Sequence, residues 1–140
     1  MNALTKTTDR FIKPITYGAA HARVRAARGR ADLHVCADCG RRAQQWSYEG
    51  GCEFEQSGSV SFTWGASSQL RWSPDPDMYS ARCRRCHSIH DYGRTDMADP
   101  GPFDPADVNL EIFDAAMERG DKVRATLAIN RIISTTRSTS

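Results

Sequence analysis

The chain has 140 residues, of which 39% are apolar and 26% charged, with a formal net charge of +2. That length is one domain's worth rather than a multidomain enzyme, and the apolar share lies below the roughly 45–50% of an average soluble domain, so a small core with help from outside burial is expected. No run approaches the roughly 18 apolar residues of a membrane span and no apolar stretch of signal length opens the sequence, which leads to the expectation of a soluble, cytoplasmic protein with no membrane partner.

The charge is unevenly placed. Residues 1–32 carry seven Lys/Arg against two Asp, residues 33–95 are balanced, and residues 96–140 carry five basic against eight acidic residues. A basic end is the usual footprint of a polyanion, because each cation that neutralises a phosphate releases a condensed counterion. Arg-rich helices are equally often solvated faces, and the pattern alone leaves both readings open.

In chain order, residues 1–16 are mostly polar and read as a flexible or loosely docked arm. Tyr17 to about Arg28 reads as a helix, with Tyr17, Ala20, Val24 and Ala27 as its apolar stripe and Gly29 as its stop. His21, Arg25 and Arg28 fall beside that stripe, which is expected to pack on the metal-binding part described below, while Arg23 points elsewhere. Gln44 to Tyr48 reads as a strand, and Phe54, Val60, Phe62 and Trp64 as one or two more strands around a loop at Gln56–Ser59. The turn Trp72 to Asp77 then leads to Tyr79. Residues 17–95 are read as one domain and 96–104, rich in proline, as a linker. Asp104 and Pro105 mark a helix start, Gly120 a stop, and Val108, Ile112, Ala115 and Ala116, then Val123, Leu127, Ile132 and Ile133, the apolar faces of a helical hairpin over 105–134. Residues 135–140 are expected to be a disordered tail.

Five cysteines stand at 36, 39, 52, 83 and 86, and four of them form two C-x2-C pairs. Each such turn sets two thiolates on one side of a tight loop, and two turns complete a four-thiolate shell for zinc, with Cys36, Cys39, Cys83 and Cys86 as ligands. Gly40 can relax the first turn through a positive φ, and the second pair sits at a helix start. A disulfide framework is the alternative, and it needs an oxidising compartment to which nothing directs the chain. Cys52 reads as a free thiol. Structural Zn2+ would supply much of the missing core energy. The order knuckle, hairpin, then C-x2-C at a helix start is a treble-clef layout, so the expected fold is α+β, with a preceding basic helix and the helical hairpin appended.

The segments Tyr17-Gly18-Ala19-Ala20-His21, Cys39-Gly40, Trp46-Ser47-Tyr48 and Asp77-Met78-Tyr79 through Cys83-Arg84-Arg85-Cys86-His87 resemble the small HNH-endonuclease-like proteins of bacteriophages, particularly those of actinobacteria. The resemblance covers about residues 17–93. It implies an HNH-like (ββα-metal) or treble-clef core, structural zinc, DNA as partner, the host cytoplasm as location, and cutting of a phosphodiester with Mg2+ or Mn2+ where the site is complete. Such cutting needs a general base, usually a hairpin histidine, and a histidine or asparagine on the next helix to hold the cation. No histidine stands between Cys39 and Cys83, and Trp46-Ser47-Tyr48-Glu49 occupies that place. His87 matches the helix histidine, with His90 three residues on, and Glu49 is the available substitute for the base. His87 can equally cap its helix or bind zinc, His21 can pack or hold a phosphate, and His34 reads as a packing residue.

Three readings follow. One is a zinc-stabilised DNA-binding protein on an HNH-like scaffold, using Arg25, Arg28, Arg41, Arg42, Arg84 and Arg85, with exposed aromatics that can stack on bases. Another is an active nicking endonuclease centred on His87. A third is a protein that binds a host protein, or itself, through residues 105–134.

Overall fold

The computed structural model describes residues 11–94 and 96–138, with side chains through Ser134. Among the described residues it is a mixed α+β structure built on the helices α1 (Tyr17–Arg28), α2 (Arg84–Tyr92), α3 (Pro105–Glu118) and α4 (Lys122–Ser138) and the strands β1 (Gln45–Tyr48), β2 (Gln56–Ser61), β3 (Ser67–Trp72) and β4 (Tyr79–Arg82). The strands pair as two small sheets, β1 with β4 and β2 with β3. The chain divides into two compact units, one built from residues up to Gly29 with Tyr48–Ser80, the other from Arg30–Ser47 with Ala81 onward. The division falls within the span 17–95.

In the first unit, Thr16 caps α1 by accepting from the Ala19 N–H, and Gly29 ends it at φ 82°. Ala20 and Val24 are its buried residues, and α1 packs within this unit against β3 and the turn Pro76–Met78. Arg23 and Arg28 reinforce that contact by donating to the Pro74 and Pro76 carbonyls at 3.3 and 3.1 Å.

The β2–β3 hairpin corrects the strand assignment. Gln56 to Ser59, read from sequence as a loop, is strand, whereas Phe62 and Trp64, read as strand, lie in the turn between β2 and β3. The antiparallel register sets Gln56 opposite Trp72, Gly58 opposite Leu70 and Val60 opposite Ser68, and these six form the covered face while their neighbours are exposed. Pairing decides here over the weak strand propensity of Ser and Gly. Gly58 has a steric role: a Cβ built there would stand 3.1 Å from the Trp72 ring. Residues 11–16 are tied to this hairpin. The Ile15 N–H donates to Gln56 Oε1 at 2.9 Å, Gln56 Nε2 to the Lys13 carbonyl at 3.0 Å and Trp72 Nε1 to the Ile15 carbonyl at 3.0 Å. The rest of the expected arm, residues 1–10, lies outside the described residues.

The second unit has a core of Leu33, Val108, Ile112, Ala116, Ala125 and Ala128, with Val35 and Phe103 packed on it. The helical pair is therefore seated on the segment that carries the first cysteine turn. Asp104 caps α3 at the Ala106 N–H with Pro105 in the first turn, and Gly120, at φ 71°, follows its end. The face of α4 differs from expectation. Small residues, Ala125 and Ala128, make the contact, because they let two helices approach closely, and Val123, Leu127 and Ile133 stay exposed. Backbone helix continues through Ser138, past the expected end at 134, and Thr139 and Ser140 lie outside the described residues. Among the described residues no helix is long and apolar enough to cross a membrane.

Candidate metal centre

The second unit brings Cys36, Cys39, Cys83 and Cys86 together so that all four Sγ atoms lie within 4.8 Å of one another, with the Cys39 and Cys83 sulfurs 3.8 Å apart. Three of the four residues are buried, and Cys39 is partly so. The first turn is closed by the Cys36 N–H donating to the Arg41 carbonyl at 2.6 Å and the Gly40 N–H to the Cys36 carbonyl at 3.0 Å. Gly40 adopts φ 79°, the left-handed region open to it without strain. The second turn is a helix start, where Cys83 is the N-cap of α2 and its sulfur accepts from the Cys86 N–H at 3.4 Å. A thiolate there gains from the positive end of the helix.

Burial pushes the Cys36 thiol up, but backbone amides of Cys83, Cys39 and Asp38 aimed at its sulfur outweigh this and bring it down to about 7. Burial and the neighbouring sulfurs push Cys86 up, and burial likewise raises Cys39. Four thiols this close cannot all ionise without a cation among them, and a metal ion relieves that repulsion. The four cysteines can thus hold one metal ion. Next to them Arg82, only 5% exposed, donates from Nε to Asp38 at 2.8 Å and from Nη1 to Ser47 Oγ at 3.1 Å. This guanidinium was not singled out from sequence, where it is one arginine among several beside the second turn.

Cys52 stands apart, in the first unit, as a free thiol whose sulfur accepts from the Ser73 hydroxyl at 3.1 Å and the Phe54 N–H at 3.4 Å.

The histidines are all engaged. On α2, His87 Nε2 meets Asp91 at 2.9 Å and Nδ1 meets Gln45 Oε1 at 2.6 Å, while His90 meets the other Asp91 oxygen at 2.8 Å. Burial would raise the Asp91 carboxyl, but the hydrogen bonds from His87 and His90 prevail and lower it. The i, i+4 spacing of His87 and Asp91 is the sequence signal for this pair. His34 packs edge-on against Trp46 at 4.9 Å, as expected. In the first unit His21 bonds the Tyr17 carbonyl at 3.0 Å and packs between the Tyr17 and Tyr79 rings, and Glu49 is exposed just after β1.

The six arginines separate by environment. Arg28 is tied to the Pro76 and Tyr79 carbonyls, and Arg25 is exposed on the same helix. In the second unit, Arg42 donates to the Asp32 carbonyl at 2.7 Å, Arg85 to the Met97 carbonyl at 3.3 Å, and Arg41 lies over the Phe103 ring at 4.5 Å. Arg84 is exposed, its backbone N–H bonded to Gln44 Oε1 at 3.0 Å. Arg41, Arg42 and Arg85 line a cleft of about 480 Å³ that reaches Cys39 and Cys83 and also contains Asp104, Asp107 and Glu111.

Comparison with protein-family models, with characterised proteins and with solved structures finds no match to this chain.

Proposed function

We propose that this chain is a zinc-stabilised nucleic-acid-binding module, with DNA as its partner, on an HNH-like treble-clef scaffold, and that it does not cut. The observation that carries the reading is the buried four-sulfur cluster formed by two C-x2-C turns, the second at a helix start. Sulfurs about 2.3 Å from a tetrahedral zinc stand about 3.8 Å apart, which is the Cys39–Cys83 separation. Zinc is the metal that chemistry favours, because it takes four thiolates in a closed structural shell.

Support for a polyanion partner is electrostatic. Residues 30–47 and 81–94, which carry the four cysteines, hold seven arginines against three aspartates. Arg84 is exposed at the start of α2, and Arg41, Arg42 and Arg85 line one cleft. A zinc tetrathiolate is itself dianionic, so these arginines also balance the metal centre. Against cutting stand the absence of a histidine between Cys39 and Cys83 and the engagement of both His87 ring nitrogens. Mg2+ or Mn2+ would be needed only by a cutting enzyme.

The test combines metal analysis with salt-dependent DNA binding and a plasmid-nicking assay. One zinc per chain, binding that weakens steeply with salt, further weakening by Arg84→Ala and no nicking are expected. Nicking of supercoiled plasmid with Mg2+ or Mn2+ that His87→Ala abolishes would replace this reading by an endonuclease.

The exposed Leu110, Met117, Val123, Leu127 and Ile133 on α3 and α4 favour a second reading, a protein partner or self-association through residues 105–134. Deleting that segment would remove all of the second unit's buried apolar cluster except Leu33, so the clean test is Leu127→Asp with Ile133→Asp. Loss of a captured partner or of a dimer, with metal content unchanged, would support it.

A further inference from the structure

Phe62 and Trp64 sit in the turn of the β2–β3 hairpin with their rings stacked, centroids 4.5 Å apart and planes within 5°. Trp64 is 74% exposed, while Trp46 and Trp72 are 5% and 7% exposed. The turn beneath them is fastened by the Phe62 N–H to the Ala66 carbonyl at 2.8 Å and the Gly65 N–H to the Phe62 carbonyl at 3.0 Å. Gly65 supplies the φ of 93° that lets the chain reverse there. The result is a flat indole backed by a second ring on a short braced support. No residue from Gln56 to Leu70 carries a charge.

Resting on the nucleic-acid reading above, we infer that Trp64 is a stacking platform for an unpaired base, so that the partner is single-stranded or locally opened nucleic acid. A parallel ring pair leaves one planar π-face open, which matches a planar heterocycle, and every nucleobase offers such a face. In an intact duplex those faces are covered by neighbouring bases, leaving only edges in the grooves. The lack of cations at the tip fits stacking, which needs none. Contacts to phosphate fall to arginines elsewhere in the chain, and the contribution of Trp64 is independent of salt. An uncharged aromatic tip also suits a lipid interface, and the experiment separates the two.

The full-length chain is titrated with oligothymidylate, with the same strand paired to oligoadenylate, and with phosphatidylcholine vesicles, while tryptophan emission and anisotropy are followed at several salt concentrations. The single strand should quench the emission, since Trp64 is the exposed indole, and should bind more tightly than the duplex. Trp64→Ala should abolish the quenching and weaken single-strand binding about tenfold with the salt slope unchanged, and Trp64→Phe should restore most of the affinity. Salt-sensitive binding that Trp64→Ala leaves unaltered would overturn the platform and spare the nucleic-acid reading. Absence of binding to either nucleic acid would overturn that reading itself. A blue shift with vesicles and no quenching by oligothymidylate would reassign the tip to a lipid surface.

Discussion

Asp32 and Arg119 stand 87 residues apart in sequence, yet the guanidinium of Arg119 faces the Asp32 carboxylate oxygen for nitrogen, at 3.3 and 3.2 Å. The pair joins the end of α3 to the segment leading into the first cysteine turn, and Arg30 and Arg42 flank the same carboxylate.

Burial would raise the Asp32 carboxyl, but a hydrogen bond from Arg30 and the charges of Arg119, Arg30 and Arg42 hold it below the usual carboxylate range. A carboxyl depressed in the folded state stabilises the fold above its unfolded pKa, about 3.9, and that stabilisation is lost as pH falls through the folded value. Urea unfolding followed against pH should therefore show wild type more stable than Asp32→Asn above about pH 4. The gap should close on acidification. A constant gap would mean that the ionised carboxylate is not the cause.

If the four-cysteine cluster holds a metal ion, a strong chelator should unfold the second unit, because four clustered thiols, three of them buried, then lose the ion that holds them together. Cys36→Ser and Cys83→Ser should each abolish stoichiometric metal binding. Cys52→Ser should retain it, since that sulfur accepts from Ser73 and Phe54 away from the cluster. Elemental analysis of the three purified variants, with circular dichroism before and after chelation, reads the outcome.

Ile112 and Asn109 share the buried side of α3, with exposures of 0% and 5%, and should respond very unequally to truncation. Ile112→Ala leaves a cavity and should cost about 2–5 kcal/mol in urea denaturation. Asn109 donates to the Pro105 carbonyl at 2.9 Å, but its Oδ1 is buried and has no partner among the described residues. Asn109→Ala removes that uncompensated acceptor along with one hydrogen bond, so the change should stay within about 1 kcal/mol of zero.

Asp107 and Glu111 line the cleft that holds Arg41, Arg42 and Arg85. If those arginines meet phosphate, the carboxylates repel the same ligand. Neutralising them as Asp107→Asn with Glu111→Gln should tighten DNA binding by roughly twofold per charge at low salt, from about 0.4 kcal/mol for unit charges about 10 Å apart in water. Equal affinities would place the DNA away from this cleft.

Features set by a few adjacent residues were readable before the structure. The bounds of α1 follow from Gly29 and the Ala20–Val24 stripe, and the start of α3 from Asp104 and Pro105. The four-cysteine cluster was readable from spacing alone. What escaped was decided by partners distant in sequence. Gln56 to Ser59 becomes strand because Leu70 and Trp72 lie opposite, and α4 turns alanines inward because α3 comes close. Arg28 and Arg85 were read as nucleic-acid contacts, and the bonds they also make to the carbonyls of Pro76, Tyr79 and Met97 were not foreseen. Backbone acceptors of that kind leave no mark in a sequence.

The missing side chain at Gly58 works as a key for the β2–β3 hairpin. The Trp72 ring fills that notch, so sliding one strand past the other by a residue would drive the indole into Ser57 or Ser59 and turn the hairpin inside out. A ribbon rich in Ser and Gln, otherwise prone to slippage, is thereby given a single alignment. The heading of its aromatic tip is thus governed by a hydrogen atom several residues away.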